Sequence, residues 1–173
     1  LGDADNDGDL DVLLIDNVAL YLLVNDGGRF TRQEISNSIE GWTASNAEFI
    51  DYDNDGDLDI TFYTRIFFSQ TSDIILMENQ GSLNFQFNTS FPVAETVVAL
   101  RVADFDGDGD TDILTSKSDP AIADLPLSLE IHTNQAGDFS QIINVGSYTQ
   151  GVGDFDIGYF DADGDIEVVA GGF

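Results

Sequence analysis

Four acidic segments recur along the chain at nearly even intervals. They read DADNDGDLD from Asp3, DYDNDGDLD from Asp51, DFDGDGDTD from Asp104 and YFDADGDIE from Tyr159, with starts 48, 53 and 55 residues apart. A second motif follows each of the first three: NDGGRF from Asn25, NQGSLNF from Asn79 and NQAGDF from Asn134. A period near 50 residues means repeated supersecondary units that bury their apolar faces against one another. From each Asn to the next acidic segment the distance is 26, 25 and 25 residues, whereas from Asp11, Asp59 and Asp112 to the next Asn it is 14, 20 and 22. The constant part fits packed strands and the variable part a surface loop.

Alternation and flanking turns place the strands. Apolar runs Ala47 to Ile50 and Val97 to Ala103 lead into the second and third acidic loops. Strands leave the four loops at Asp11 to Ile15, Asp59 to Tyr63, Asp112 to Thr115 and Glu167 to Ala170. Third strands, ALYLLV, DIILME and LSLEIH, end at the Asn motifs, and fourth strands, FTRQEI, FQFNT and FSQIINV, start at the Phe. No segment carries a helical stripe. The expected fold is all-β: a partial β-propeller of roughly three to four blades, each a four-stranded antiparallel repeat of about 50 residues. One repeat domain spans 1–173, with repeats at about 1–43, 44–94, 95–152 and a partial one at 153–173. The acidic loops join first to second strands on one face. The variable lengths fall in the second-to-third connections, near Asp16 to Val18, Thr64 to Ser72 and Ser116 to Pro126, on the other face.

Charge narrows the partners. The chain has 33 acidic against 5 basic residues, a net charge of -28, yet 42 % of its residues are hydrophobic, with 13 Phe and 5 Tyr. That is too apolar for acidic disorder. It also lacks the basic footprint that nucleic acid or an anionic membrane requires, so neither is expected as a partner. The longest apolar run, Val18 to Val24, is too short to span a bilayer. There is no Cys, which removes disulfides, thiolate metal sites and thiol nucleophiles.

Within each loop, numbered from its first acid, positions 1, 3 and 5 carry carboxylates, position 6 is Gly and position 9 is acidic. A chain coiling round a hard cation can aim every second side chain inward, and Ca²⁺ takes six to eight oxygens where Mg²⁺ keeps its waters. Glycine at position 6 permits the bend. Position 7 offers a backbone carbonyl, and the acid at 9 is expected to close the shell in bidentate fashion. The candidate ligands are Asp3, Asp5, Asp7, Asp9 and Asp11; Asp51, Asp53, Asp55, Asp57 and Asp59; and Asp104, Asp106, Asp108, Asp110 and Asp112. In the fourth loop Tyr159 replaces the first acid, leaving Asp161, Asp163, Asp165 and Glu167. A weaker site is expected there, or one that recruits Asp154, Asp156 or water. An EF-hand needs an acid at position 12, where this chain has Leu14, Phe62, Thr115 and Ala170. Solvated acidic turns are the plainer alternative. However, carboxylates about 4 Å apart repel by roughly 4 kcal/mol at an effective dielectric near 20, so a cation-free loop is expected to splay. Extracellular calcium modules bind at about 10⁻⁴–10⁻³ M. A tenfold excess then adds about 1.4 kcal/mol per site, so calcium is expected to be a folding cofactor.

The pattern DxDxDGxxD, strand, L-x-x-x-N-x-G-x-x-F is carried by DNDGDLDVLL…LLVNDGGRF, DNDGDLDITF…ILMENQGSLNF and DGDGDTDILT…IHTNQAGDF. It resembles the FG-GAP and VCBS repeat families and the calcium-binding blades of integrin α-subunit propellers. The resemblance implies a β-propeller, calcium in the first-to-second loops and an extracellular or cell-surface setting. It leaves the ligand open. The first repeat lacks an opening strand and the last lacks its third and fourth. The chain also opens at Leu1 rather than Met. A processed product or part of a longer chain is therefore expected, or a ring that another chain completes. Open blade edges favour self-association.

The expected role is non-enzymatic: adhesion, protein or glycan recognition, or extracellular assembly. The alternatives are the propeller of a secreted polysaccharide lyase or hydrolase, and a filament subunit. Five basic residues make a convergent catalytic site hard to build, and the single histidine, His132, reads as an ordinary strand residue. Trp42 reads as blade packing or rim rather than a sugar platform, and Asn88-Thr89-Ser90 matches a glycosylation sequon. Arg65-Ile66-Phe67-Phe68 is either a contact patch or the cover of its own loop.

Overall fold

A computed structural model describes residues 1–16, 19–36, 43–65, 71–118, 127–148, 152–162 and 165–172. The described residues are strands and turns, and no helix is long and apolar enough to cross a membrane. Blade I holds β1 (Val12–Ile15), β2 (Leu20–Asp26) and β3 (Arg29–Ser36). Blade II holds β4 (Thr43–Ile50), β5 (Asp59–Arg65), β6 (Ser72–Asn79) and β7 (Phe85–Val93). Blade III holds β8 (Thr96–Ala103), β9 (Asp112–Ser118), β10 (Leu127–Gln135) and β11 (Asp138–Tyr148), and blade IV holds β12 (Val152–Gly158) and β13 (Glu167–Gly172). Each sheet is an antiparallel meander in chain order. The fold is thus all-β with propeller-type blades, as expected. β12 is the opening strand that the partial fourth repeat implied without placing it: its run VGDFDIG sets glycine and aspartate among few apolar residues, so its pairing with β13 carries it rather than its propensity.

The first strands β4, β8 and β12 pack side by side, and β1 packs on β4. These strands therefore form the inner edge from which each meander runs outward. Cores lie between blades, because strand alternation sends neighbouring residues to opposite faces. On β6, Ile75 and Met77 join Leu20, Leu22, Ile60, Phe62 and Phe85 between blades I and II. Ile74 and Leu76 on the same strand join Val97, Leu100, Ile113 and Phe139 between blades II and III. Ala99, Leu114, Leu129 and Phe155 close the gap between blades III and IV. A blade with apolar residues on both faces cannot satisfy itself alone, so the blades stack.

The inner strands carry β-bulges, at Ser45/Ala47 in β4 and Val97/Ala99 in β8. A bulged residue leaves the ladder, and here it bonds to a neighbouring blade. Asn46 Oδ1 accepts the Leu100 N–H at 2.7 Å, and the Val98 carbonyl accepts the Tyr63 hydroxyl at 2.6 Å. At the same inner edge Arg101 reaches Glu48 on β4 at 3.6 Å and Asp156 on β12 at 3.4 Å. Burial raises the Glu48 pKa above its ordinary value, and Arg101 opposes the shift. Trp42, Ile66, Phe67, Phe68 and most of the variable second-to-third connections lie outside the described residues.

Candidate metal centres

The acidic loops connect first to second strands, and three of them share one backbone geometry. Position 6 is left-handed, with φ of 96° at Gly8, 92° at Gly56 and 100° at Gly109. Position 4 is left-handed as well, at Asn6 (60°), Asn54 (59°) and Gly107 (78°). Asparagine tolerates that conformation better than most residues, which is the signal that marks position 4 in the sequence.

Position 1 accepts the N–H of the glycine at position 6 in every copy: Asp3 from Gly8 at 2.9 Å, Asp51 from Gly56 at 3.1 Å and Asp104 from Gly109 at 3.1 Å. Position 3 accepts the N–H of position 5, and position 5 that of position 7, as for Asp55 and the Asp57 N–H at 2.8 Å. These Asx-type turns wind each loop so that its carboxylates face one another. Oxygens of Asp3, Asp5 and Asp11 lie within 4.8 Å of one another, as do those of Asp51, Asp53 and Asp59 and those of Asp104, Asp106 and Asp108. Each of the three groups could hold a metal ion.

The aspartate at position 9 carries a structural task beside its place in the acidic loop. Asp11, Asp59 and Asp112 are buried, at 0 %, 1 % and 0 % exposure. One oxygen of each accepts the N–H of position 2: Ala4 at 2.8 Å, Tyr52 at 3.3 Å and Phe105 at 2.9 Å. The other accepts the N–H of the motif asparagine at 2.8 Å, from Asn25, Asn79 and Asn134. The carboxylate therefore ties the loop to the end of the third strand. In place of a free bidentate pair it offers a cation only the lone pairs those bonds leave. Glu167 repeats half of this clamp, accepting the Phe160 N–H at 2.6 Å. The asparagine side chains continue the tie: Asn25 and Asn79 donate to the Leu10 and Leu58 carbonyls, and Asn134 donates to the Tyr52 carbonyl of blade II at 2.8 Å.

The position-7 side chains are engaged elsewhere, consistent with a carbonyl role for that position. Asp9 accepts the Gly27 N–H at 2.7 Å, Asp57 accepts from Asn6 at 3.2 Å and Asp110 accepts from Asn54 at 2.6 Å. In the fourth loop Asp163 lies outside the described residues, Asp161 and Asp165 are exposed, and Asp156 turns to Arg101. Among the described residues no fourth acidic group converges.

The electrostatics show what burial costs these carboxylates, with crowding adding to it. Burial first, then its neighbouring carboxylates, raises Asp53. Burial also lifts Asp59 to about 7, against the opposing pull of the Asn79 and Tyr52 N–H groups. Asp5 and Asp112 are raised as well, burial again leading. A divalent cation would reverse each of these shifts. Asp51 Oδ1 is fully shielded and has no hydrogen-bond partner. A buried acceptor without a partner is expensive, and an ion held with Asp53 and Asp59 would satisfy it. The donor set is all oxygen, which suits a hard cation.

His132 is buried in β10, with Nε2 3.3 Å from the Thr115 hydroxyl and its ring 5.3 Å from that of Phe91. It is the strand residue it was expected to be. Asn88 of the sequon stands at a bulge in β7, its amide donating to the Tyr52 hydroxyl at 2.6 Å and to Glu78.

A family model described as FG-GAP-like repeat matches residues 3–62 and 65–115, which cover the first three acidic loops. No curated protein and no solved structure matches the chain.

Proposed function

We propose a function from one premise: this chain belongs to the FG-GAP-like repeat family, whose model matches more than half of it. The chain is a set of calcium-stabilised propeller blades from a secreted or cell-surface protein, serving adhesion, recognition or extracellular assembly. Asp3, Asp5, Asp7 and Asp11, with the Asp9 carbonyl, hold calcium in loop I. Asp51, Asp53, Asp55 and Asp59, with the Asp57 carbonyl, hold it in loop II. Asp104, Asp106, Asp108 and Asp112, with the Asp110 carbonyl, hold it in loop III. The ion supplies positive charge that lets the carboxylates converge. The chain's own residues set the loop by Asx turns and lock it to the third strand through the position-9 clamp.

One observation carries the reading: carboxylate oxygens converge in each of three loops, at positions 1, 3 and 9 in loops I and II and at positions 1, 3 and 5 in loop III, and Asp51, a member of the second group, has an oxygen, Oδ1, buried without a partner. Sites of this exposed, loop-built kind match the millimolar affinity range of extracellular modules, which favours a calcium-rich compartment. Protein or glycan ligands would meet the second-to-third connections on the opposite face. A polysaccharide lyase or hydrolase has less support, since Arg101 and Lys117 are held in ion pairs and His132 is buried.

Calorimetric titration of chelator-stripped protein tests the reading. Calcium should release or absorb heat with a stoichiometry near three and raise the melting temperature. No heat together with an unchanged melting temperature overturns it.

A further inference from the structure

The three acidic loops are joined in series. Asn6, at position 4 of loop I, donates its side-chain amide to Asp57 at position 7 of loop II at 3.2 Å. Asn54, at position 4 of loop II, donates in the same way to Asp110 at position 7 of loop III at 2.6 Å. The two bridges repeat one geometry one blade apart. The series stops at loop III, where position 4 is Gly107, without a side chain to extend it.

From these bridges we infer that the loops load cations cooperatively from I to III. The inference rests on the calcium reading of the loops. Each bridging asparagine stands between two candidate ligands, Asn6 between Asp5 and Asp7, and Asn54 between Asp53 and Asp55. Each receiving aspartate stands between two more, Asp57 between Asp55 and Asp59, and Asp110 between Asp108 and Asp112. A loop wound round an ion holds its position-4 residue in the left-handed conformation, from which the amide reaches the next loop. That fixes position 7 of the neighbour, whose own winding then costs less conformational entropy. Coulomb repulsion between bound cations acts the other way, but salt weakens it beyond about a Debye length. The bridge is a hydrogen bond to a charged acceptor, among the stronger side-chain bonds. A coupling on the order of fivefold per bridge is expected, at the low end of ordinary coupling between sites.

The substitution Asn54→Gly removes the bridge and keeps the backbone, because glycine is the residue loop III uses at this position with φ of 78°. Asp110→Ala cuts the same bridge from its other end. Calcium titration of the chelator-stripped full chain should be steeper than independent binding for the wild type. Both variants should flatten the curve with the stoichiometry retained. Disabling loop III by Asp108→Asn should raise the calcium midpoint of the remaining loops about fivefold in the wild type and leave it in place in Asn54→Gly. An equally steep curve in the bridge variants, or a non-cooperative wild-type curve, overturns the coupling while leaving calcium binding intact. Absence of any calcium binding overturns both.

Discussion

Two aspartates four residues apart in one loop, Asp108 and Asp112, should respond to substitution in opposite ways. Asp112 is fully buried, and its two oxygens accept the Phe105 N–H at 2.9 Å and the Asn134 N–H at 2.8 Å. Asp112→Ala strands both donors at the base of the loop, and each unsatisfied donor costs about 1–3 kcal/mol. The expected loss is about 4 kcal/mol, a large share of the 5–15 kcal/mol typical of a domain. Because the loss comes from backbone groups, it should appear in chelator as well as in calcium. Asp108 is exposed and accepts a single N–H, that of Asp110, at 2.9 Å. In chelator, Asp108→Asn should change stability by no more than about 1 kcal/mol, since it also relieves repulsion from Asp104 and Asp106. In calcium it should forfeit that loop's increment, about 1.4 kcal/mol at a tenfold excess over the dissociation constant. Urea unfolding of wild type and both variants, with chelator and with millimolar calcium, reads all of these values. If Asp112→Ala matches the wild type in chelator to within about 1 kcal/mol, the clamp contributes nothing and the reasoning fails.

Three further outcomes follow from the same geometry. Burial, with Lys117 adding to it and Glu130 opposing it, lowers His132 to about 4. Between its unfolded pKa of about 6.5 and that value the unfolded chain takes up a proton the folded chain refuses, so stability falls with pH there by about 3 kcal/mol. Asp59, raised to about 7, works with the opposite sign across the same range. The quantity to measure is therefore the difference between wild type and His132→Gln in chelator, where the variant should lose less on acidification; parallel pH profiles would refute the assignment. Gly56→Ala places a Cβ in open space at φ of 92°, so calorimetry should find only backbone strain, about 1–2 kcal/mol. Phe62, at 0 % exposure between blades I and II, should cost about 3–5 kcal/mol on truncation to Ala; a loss below about 1 kcal/mol would mean that those blades do not pack as described.

Much of the site was legible because its chemistry is local. Ligand candidates at alternate positions, the glycine bend at position 6 and the strand after each loop all lie within about ten residues of one another. The β10 strand was equally plain from LSLEIH. By contrast, β12 followed only from the period of the repeat and could not be placed residue by residue, since two glycines and two aspartates in seven residues carry no strand propensity.

The amino-acid order alone thus determined the repeat, the strand content and the crowding of carboxylates, because each depends on short-range spacing and periodicity. Three things were left to the assembled fold. It turned the position-9 aspartates into clamps, because the Asn25, Asn79 and Asn134 N–H groups they hold lie 14, 20 and 22 residues away. It divided the two apolar faces of middle strands such as β6 and β9 between neighbouring blades, which alternation alone does not assign to a partner. And it made position 4 a bridge between loops, because side chains 51 and 56 residues apart meet only when the blades stand side by side.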